Sequence, residues 1–394
     1  MLPPDMNLTV SRRMLDVQSP MISVVGEMVK RRPGTISLGQ GVVHYGPPEG
    51  VARAVAEAAA KDPRVNRYSL TFGIDELLEG LSRKLELENG IHIGPDRHVV
   101  VTAGANMGFL NAVLAVADVG DEVILLSPFY FNYEMAVQMA GCRAAVVATD
   151  AQYQPDVRRI ECAITPRTQA VVTISPNNPT GAVYSRESLE AINTMCRERG
   201  LYHIADEAYE YFVYGESRHF SPGSIEGSAA HTISLHSFSK AYGMAGWRVG
   251  FMVIPAHLEE AVKKVQDTNL ICPPVLNQIA AAAALAEGHG WCEQRIAGIA
   301  RVREMVLEEL SKLGDRVELP TPGGAFYALL RVHTNRRDME LVETLIRDFG
   351  VAVMPGSTFG ITDGCYLRVA YGALEAGTVA EGMGRLVRGL KAAV

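Results

Sequence analysis

Residues 170–206 read AVVTISPNNPTGAVYSRESLEAINTMCRERGLYHIAD, and their pattern sets the fold class. The stretch opens on a short apolar run, 170–174, rich in valine and isoleucine, as a strand covered on both faces requires. A turn follows in Ser175-Pro176-Asn177-Asn178-Pro179-Thr180-Gly181, where Asn-Pro and Thr-Gly punctuate the chain. Residues 185–199 have helical spacing and length, and a second apolar run, 202–205, ends at Asp206. Strand, helix and buried strand in succession predict an α/β domain with a parallel sheet.

Working outward, similar apolar runs occur at 98–101, 122–126, 232–235 and 249–253, with helical patterns at 106–116 and 131–140. The character changes beyond an alanine-rich stretch. Residues 294–313 predict one long amphipathic helix, and Pro320, Pro322, Gly323 and Gly324 break it off from the residues beyond. A strand at 325–332, a helix at 338–349, a strand at 366–370 and a closing helix predict a smaller α+β unit. The polar stretch 221–230 reads as a surface loop, and the chain has no internal repeat or low-complexity segment.

A chain of 394 residues exceeds what one hydrophobic core usually fills, and an apolar fraction of 48% suits a globular protein. The net charge of -7 is mild and the longest basic run is Lys30-Arg31-Arg32, which argues against nucleic acid or a membrane surface as the main partner. Six cysteines lie far apart without a Cys-x-x-Cys pair, a usage that predicts reduced, buried or inert thiols in a reducing compartment. The ten histidines lack metal-ligand spacing, so no metal is expected. The N-terminus, with its prolines and Asp5, lacks the pattern of a signal peptide, and the most apolar long stretch, 279–285, is too short to span a bilayer. A soluble, cytoplasmic protein is expected.

Four segments carry groups that could do chemistry. Ser237-Phe238-Ser239-Lys240, followed by Gly246-Trp247-Arg248-Val249-Gly250, sets hydroxyls, an amine and a guanidinium at the end of an apolar run. A nucleophilic lysine needs a lowered pKa, which nearby positive charge or a partly dry setting supplies. Arg248 and Ser237 also suit a phosphate, although a lone lysine after serines is more often an ordinary solvated side chain. Asp206 stands where open α/β sheets bring ligand-binding groups, and a carboxylate there can keep a cofactor ring nitrogen protonated. It equally fits a helix N-cap with Glu207 in the first turn. Asn178, held before a proline, has an amide that could donate to a phenolic oxygen. Finally, Val101-Thr102-Ala103-Gly104-Ala105-Asn106-Met107-Gly108 is a strand, a small-residue turn and a helix start, which presents backbone N–H groups to an anion. It lacks the Gly-Lys-Ser/Thr of a Walker loop and the full Gly-x-Gly-x-x-Gly fingerprint.

In order and spacing, from about Ser37 to Gly372, these segments together resemble the fold type I, class I/II aminotransferases of the aspartate aminotransferase superfamily, which depend on pyridoxal 5′-phosphate. The resemblance implies a large domain with a mainly parallel seven-stranded sheet between helices, residues 45–290. It also implies a smaller α+β domain built from an N-terminal segment, 1–44, and the C-terminal residues 291–394. Lys240 resembles the lysine that holds the cofactor as a Schiff base and shuttles a proton as general acid/base. Asp206 would pair with the pyridine nitrogen, and Asn178 and Tyr209 would bond the phenolic oxygen. The phosphate would lie against the amides of Gly104, Ala105 and Asn106, beside Ser237 and Arg248. Tyr130, in Pro128-Phe129-Tyr130-Phe131-Asn132-Tyr133, matches the aromatic that stacks on the ring. Arg368 matches the arginine that grips the substrate α-carboxylate, and Gly41 the glycine whose amide faces it. Tyr68 resembles a tyrosine that reaches the phosphate of a neighbouring subunit, which implies a homodimer with shared sites.

The resemblance further implies transfer of an amino group between an L-amino acid and a 2-oxo acid by a ping-pong mechanism. After Gly41, however, where many relatives carry an acidic residue, a proline or aspartate and an aromatic, the run here is Val42-Val43-His44-Tyr45-Gly46-Pro47-Pro48, and this stretch helps to line the side-chain pocket in the family. A second arginine for a dicarboxylate is not evident, with Asn269, Arg12 and Arg13 conceivable, so the substrate stays open. Tyr45 and His44 could favour aromatic or neutral polar side chains, but a structural role is favoured for both. A carbon–sulfur β-lyase or an enzyme resembling aminocyclopropane carboxylate synthase is the nearest rival, since scaffold does not set the reaction. A cofactor-binding transcription regulator is a third reading, for which too few residues precede Ser37 to hold a DNA-binding domain.

Overall fold

The computed structural model describes residues 9–394; the opening prolines and Asp5 lie outside them. Seven strands form the main sheet: β1 (Arg97–Thr102), β2 (Glu122–Ser127), β3 (Arg143–Ala148), β4 (Thr168–Ile174), β5 (Tyr202–Asp206), β6 (Thr232–Ser237) and β7 (Gly250–Pro255). They lie in the order β1-β7-β6-β5-β4-β2-β3. Only β7 runs against its neighbours, so the carboxyl ends of the other six strands share one edge of the sheet. The sheet is thus mainly parallel, as expected. Six of its strands coincide with apolar runs read from the sequence. The seventh, β3, was not anticipated: it is an edge strand with little continuous burial, and its Val146 is 48% exposed.

Alternation along β2 shows how the sheet is covered. Val123 and Leu125 join Phe109, Val113 and Val137 from the helices Ala105–Val116 and Phe131–Met139 on one face. Ile124 and Leu126 join Leu189, Ile192 and Cys196 from the helix Arg186–Arg199 on the other. Period-two burial on both faces is why these strands read as unbroken apolar runs.

The C-terminal part is built on β8 (Tyr327–Val332) and β9 (Cys365–Ala370), an antiparallel pair that sets Leu329 opposite Arg368. The two-residue strand Ile36–Ser37 pairs in parallel with Val351–Ala352. Leu38 then donates its N–H to Ala352 (2.8 Å) and accepts from the N–H of Ala370 (2.7 Å). These bonds bring Gly39, Gln40 and Gly41 beside the end of β9. The long helix spans His289–Ser311, beginning five residues before the predicted start because Gly288, at φ 76°, forms its N-cap. Residues 221–230 form two short 3₁₀ turns, but the surface reading needs correction. Ser221 and Ser228 are buried, binding Asn89 (2.8 Å) and Arg97 (2.9 Å), so hydroxyls there serve the interior. Among the described residues, no single helix is long and apolar enough to cross a membrane.

Glu122 pins the start of the sheet. Its buried carboxylate accepts from Arg143, opposite it on β3, from Arg167 (3.0 Å) and from the Thr165 hydroxyl (2.8 Å). The bond from Arg143, helped by those from Thr165 and Arg167, outweighs burial and draws the carboxyl down to about 2. A depressed folded-state pKa contributes stability above the ordinary carboxylate range, and that contribution is lost as pH falls towards 2. Glu122→Ala should therefore cost ~1–3 kcal/mol at neutral pH. In chemical unfolding curves, the gap from wild type should close as the pH approaches 2.

Candidate active site

A cleft opens at the shared carboxyl edge of the sheet, its walls completed by β8, β9 and the segment at Gly41. Lys240 follows β6 in the chain, and its Nζ donates to the Gly41 carbonyl at 2.5 Å while lying 5.5 Å from the centre of the Tyr209 ring. Burial first, then the positive charges of Arg368 and Arg248, push its amine down to about 8, against the pull of Asp206. Asp206 ends β5 and is buried; its Oδ2 accepts from the Tyr133 hydroxyl at 2.7 Å and its Oδ1 from the Ala208 N–H at 3.0 Å. Burial raises its pKa, and the bond from Tyr133 leads the influences that oppose the rise.

Arg368, in β9, is 1% exposed. Its guanidinium donates to Asn178 Oδ1 at 3.0 Å and to the Gly39 carbonyl at 2.6 Å, and it lies over the rings of Tyr327 (4.6 Å) and Phe359 (4.9 Å). Its Nε is buried without a hydrogen-bond partner. The Tyr209 hydroxyl bonds that of Tyr327 at 2.7 Å, and burial drives the phenol of Tyr209 well above its ordinary range. Gly41 is required by contact, since a Cβ there would meet the Tyr327 hydroxyl at 2.6 Å.

At the far end of the cleft, Gly104 takes φ 82° and caps the helix Ala105–Val116, whose first amides face the cleft with Asn106. A Cβ on Gly104 would lie 2.4 Å from the Arg248 guanidinium. That guanidinium is held by the carbonyls of Ala245 (2.9 Å) and Ala103 (3.3 Å) and by the Ser239 hydroxyl (3.5 Å). Ser237 Oγ accepts from the Ser239 N–H at 3.1 Å. Tyr130 stands at the cleft wall, its hydroxyl accepting from Asn132 (3.0 Å) and Asn106 (3.4 Å).

The structure thus gathers Lys240, Asp206, Tyr209, Asn178, Arg368, Gly41, Ala105, Asn106, Ser237, Arg248 and Tyr130 around one cleft, with Gly104 directly behind it. It does not bring Tyr68 there: that side chain is 78% exposed and does not line the cleft. Arg12, Arg13 and Asn269 do not line the cleft either; Arg13 binds the Met139 carbonyl at 2.9 Å and Asn269 binds Asn111 at 3.3 Å. His44 sits 3.4 Å from the Gly372 carbonyl and the Tyr45 hydroxyl donates to the Ala241 carbonyl at 3.1 Å, both outside the lining. Sequence reasoning missed Tyr133 and Tyr327, and it quoted Ser239 beside Lys240 without giving it a role of its own. Tyr133 carried a usable signal, because it falls three residues after Tyr130 and so on a neighbouring helical position. Tyr327 carried none.

A helix N-terminus beside a guanidinium suits a phosphate, a buried carboxylate suits a protonated ring nitrogen, and an amine drawn towards its neutral form suits an aldehyde. The absent Cβ of Gly104 lets the Arg248 guanidinium close on the helix N-terminus, and the Nε of Arg368 has no partner, so either end of the cleft has donors for an anion and the set fits pyridoxal phosphate with an amino acid.

A family profile described as aminotransferase class I and II matches residues 33–386. The chain belongs to that family. Its relatives include an aromatic aminotransferase of Arabidopsis thaliana, 33% identical over 97% of this chain and 96% of the relative. Another is an aromatic-amino-acid aminotransferase of Thermococcus litoralis, 34% identical over 98% and 99%. Among solved structures, a double mutant of Thermus thermophilus aspartate aminotransferase superposes with a TM-score of 0.89 at 33% identity, covering 97% of this chain and all of that one. The chain is an aminotransferase with the fold of this family.

In protein freed of bound cofactor, the half-buried Lys240 of this aminotransferase should react differently from an ordinary lysine. As pH rises through about 8 the amine loses its proton, so labelling by an amine-directed reagent should reach half its limiting rate near pH 8. A lysine amine in a model peptide does so only at about 10. Peptide mass spectrometry of the labelled protein follows the rate at Lys240.

Proposed function

We propose that the chain holds pyridoxal 5′-phosphate covalently through Lys240 and transfers amino groups between L-amino acids with uncharged side chains and 2-oxo acids. The observation that carries this reading is the convergence of a half-buried amine, a buried carboxylate and a buried guanidinium in one cleft: Lys240, Asp206 and Arg368. When bound, the cofactor supplies an aldehyde that joins to amines and a pyridine ring that accepts electrons from the substrate Cα. Each half-reaction releases its product before the second substrate enters, the ping-pong pattern.

Within this reading, Lys240 leaves the Gly41 carbonyl and takes the Cα proton, its amine already drawn towards the neutral form. Asp206 holds a proton at the ring nitrogen. Asn178, whose Oδ1 is engaged by Arg368, has its amide nitrogen to offer to the phenolic oxygen, alongside the Tyr209 hydroxyl. The amides of Gly104, Ala105 and Asn106 with Ser237 and Arg248 bind the phosphate, and Tyr130 lies against the ring. Arg368 grips the α-carboxylate with help from the Gly41 amide.

The cations at the cleft, Lys240, Arg248 and Arg368, all have roles in this scheme, and the remaining wall includes Ile22, Val42, Tyr130 and Tyr327. That wall supports an uncharged, apolar or aromatic substrate side chain, in keeping with the relatives named for aromatic amino acids. The exposed Tyr68, beside an exposed Leu70, supports a homodimer in which Tyr68 reaches the partner's phosphate. Six free cysteines support a cytoplasmic setting. We take residues 1–44 and 291–394 as one domain and 45–290 as the other, on the pairing of Ile36–Ser37 with Val351–Ala352.

Lys240→Ala should abolish turnover and the borohydride-stable attachment of pyridoxal phosphate at this position; retained turnover or labelling defeats the assignment. Arg368→Lys removes a planar two-point grip and should lower kcat/KM for donor and acceptor by ~100-fold, with most of the loss in KM. In a panel of donors, phenylalanine should exceed aspartate in kcat/KM by at least ~10-fold. Preference for aspartate would remove the side-chain assignment.

A further inference from the structure

Tyr133 was not among the residues that the sequence marked for the site. It lies on the helix Phe131–Met139, directly after β2, and is 1% exposed. Its ring stacks on Phe109 with centroids 3.7 Å apart and planes 13° from parallel. Phe109 belongs to the helix Ala105–Val116, whose N-terminus faces the cleft. The Tyr133 hydroxyl donates to Asp206 Oδ2 at 2.7 Å, and among the described residues no other side chain bonds that carboxylate. Phenylalanine would fill nearly the same volume and keep the stack, so packing alone does not call for the oxygen.

We propose that Tyr133 is a positioning residue for the cofactor ring: its hydroxyl orients Asp206 and keeps that carboxylate charged opposite the ring nitrogen. The inference rests on the proposed assignment of Asp206 to that nitrogen. Asp206 is faced by Tyr130 and Tyr133 around the end of β2, by His236 in β6, by Lys240 after β6, by Tyr327 in β8 and by its neighbour Glu207. Of these, Tyr133 alone reaches it with a hydrogen bond. Burial works against the charged carboxylate, and the phenol, ahead of the Ala208 N–H, is the leading donor that opposes it. Removing the hydroxyl therefore favours the neutral acid, which cannot balance a protonated ring.

The test uses apo-protein of the wild type and of Tyr133→Phe, titrated by fluorescence with pyridoxal phosphate and with its analogue carrying CH in place of the ring nitrogen. The variant should bind pyridoxal phosphate roughly tenfold more weakly yet bind the carbon analogue as the wild type does. The acid limb of its kcat/KM profile should move to higher pH, because a carboxyl with a higher pKa is protonated sooner as pH falls. On an Asp206→Asn background, Tyr133→Phe should add no further loss. Equal weakening towards both ligands would assign Tyr133 to packing, and unchanged affinity with an unmoved acid limb would leave it no part; either result overturns the proposal. If Tyr133→Phe does not fold, 3-fluorotyrosine at position 133 serves instead. Its more acidic phenol should shift the acid limb to lower pH, and an unmoved limb overturns the proposal equally. Wild-type protein that takes up no pyridoxal phosphate defeats the proposed function and this inference together, whereas normal wild-type uptake with an unaffected variant defeats this inference alone.

Discussion

Arg368 donates one nitrogen to Asn178, 190 residues earlier, and another to the carbonyl of Gly39, 329 residues earlier. Those bonds join the loop after β4, strand β9 and the N-terminal segment around a single guanidinium. The guanidinium is buried, and among the described residues no carboxylate pairs with it. A buried cation met only by neutral acceptors and aromatic faces carries a desolvation cost that a salt bridge would reduce. The arrangement is intelligible when the group must answer to an anion from outside the chain, because an internal carboxylate would compete for the same donors. The cleft's shape and its capacity for a carboxylate thus depend on the same contact.

Around that contact, burial acts in opposite senses on two ionisable groups. It pushes the Lys240 amine down and the Asp206 carboxyl up, each towards its neutral form. Neighbours then separate their roles. The guanidinium groups of Arg368 and Arg248 push the amine further towards neutrality, whereas the Tyr133 hydroxyl pulls the carboxyl back towards charge. An amine inclined to give up its proton, and a carboxylate whose charge a directed donor defends against burial, are what exchange of an amino group at a pyridine-bearing cofactor demands. The fold supplies the setting by ending six strands on one edge, so that residues far apart in the chain share one dry enclosure.

Much of this was legible in the linear chain. The strands β1, β2, β4, β5, β6 and β7 read as apolar runs because their residues are covered on both faces, and burial leaves a compositional trace. β3 left little trace because it lies at the sheet edge with Val146 in solvent. Lys240, Asp206 and Asn178 were recognisable because each follows or ends such a run, where side chains of a parallel sheet emerge together. Tyr327 was not, since a tyrosine inside an apolar strand carries no sign that its hydroxyl meets Tyr209. The polar loop at 221–230 misled because hydroxyl-rich composition is the same whether the hydroxyls meet water or, as Ser221 and Ser228 do, buried partners.

By itself the sequence determined the α/β class, the positions of most strands and helices, and the residues that could bear chemistry. These depend on periodicity and on neighbours along the chain, which a linear text records. Tertiary structure alone decided that β7 runs against its neighbours, that Arg368 clasps Asn178 and Gly39, that the Tyr133 hydroxyl meets Asp206, and that Tyr68 stays out of its own chain's cleft. Each of those is a meeting, or a failure to meet, of segments brought together by packing, whose geometry is settled by the whole core at once and leaves no local mark on the residues involved.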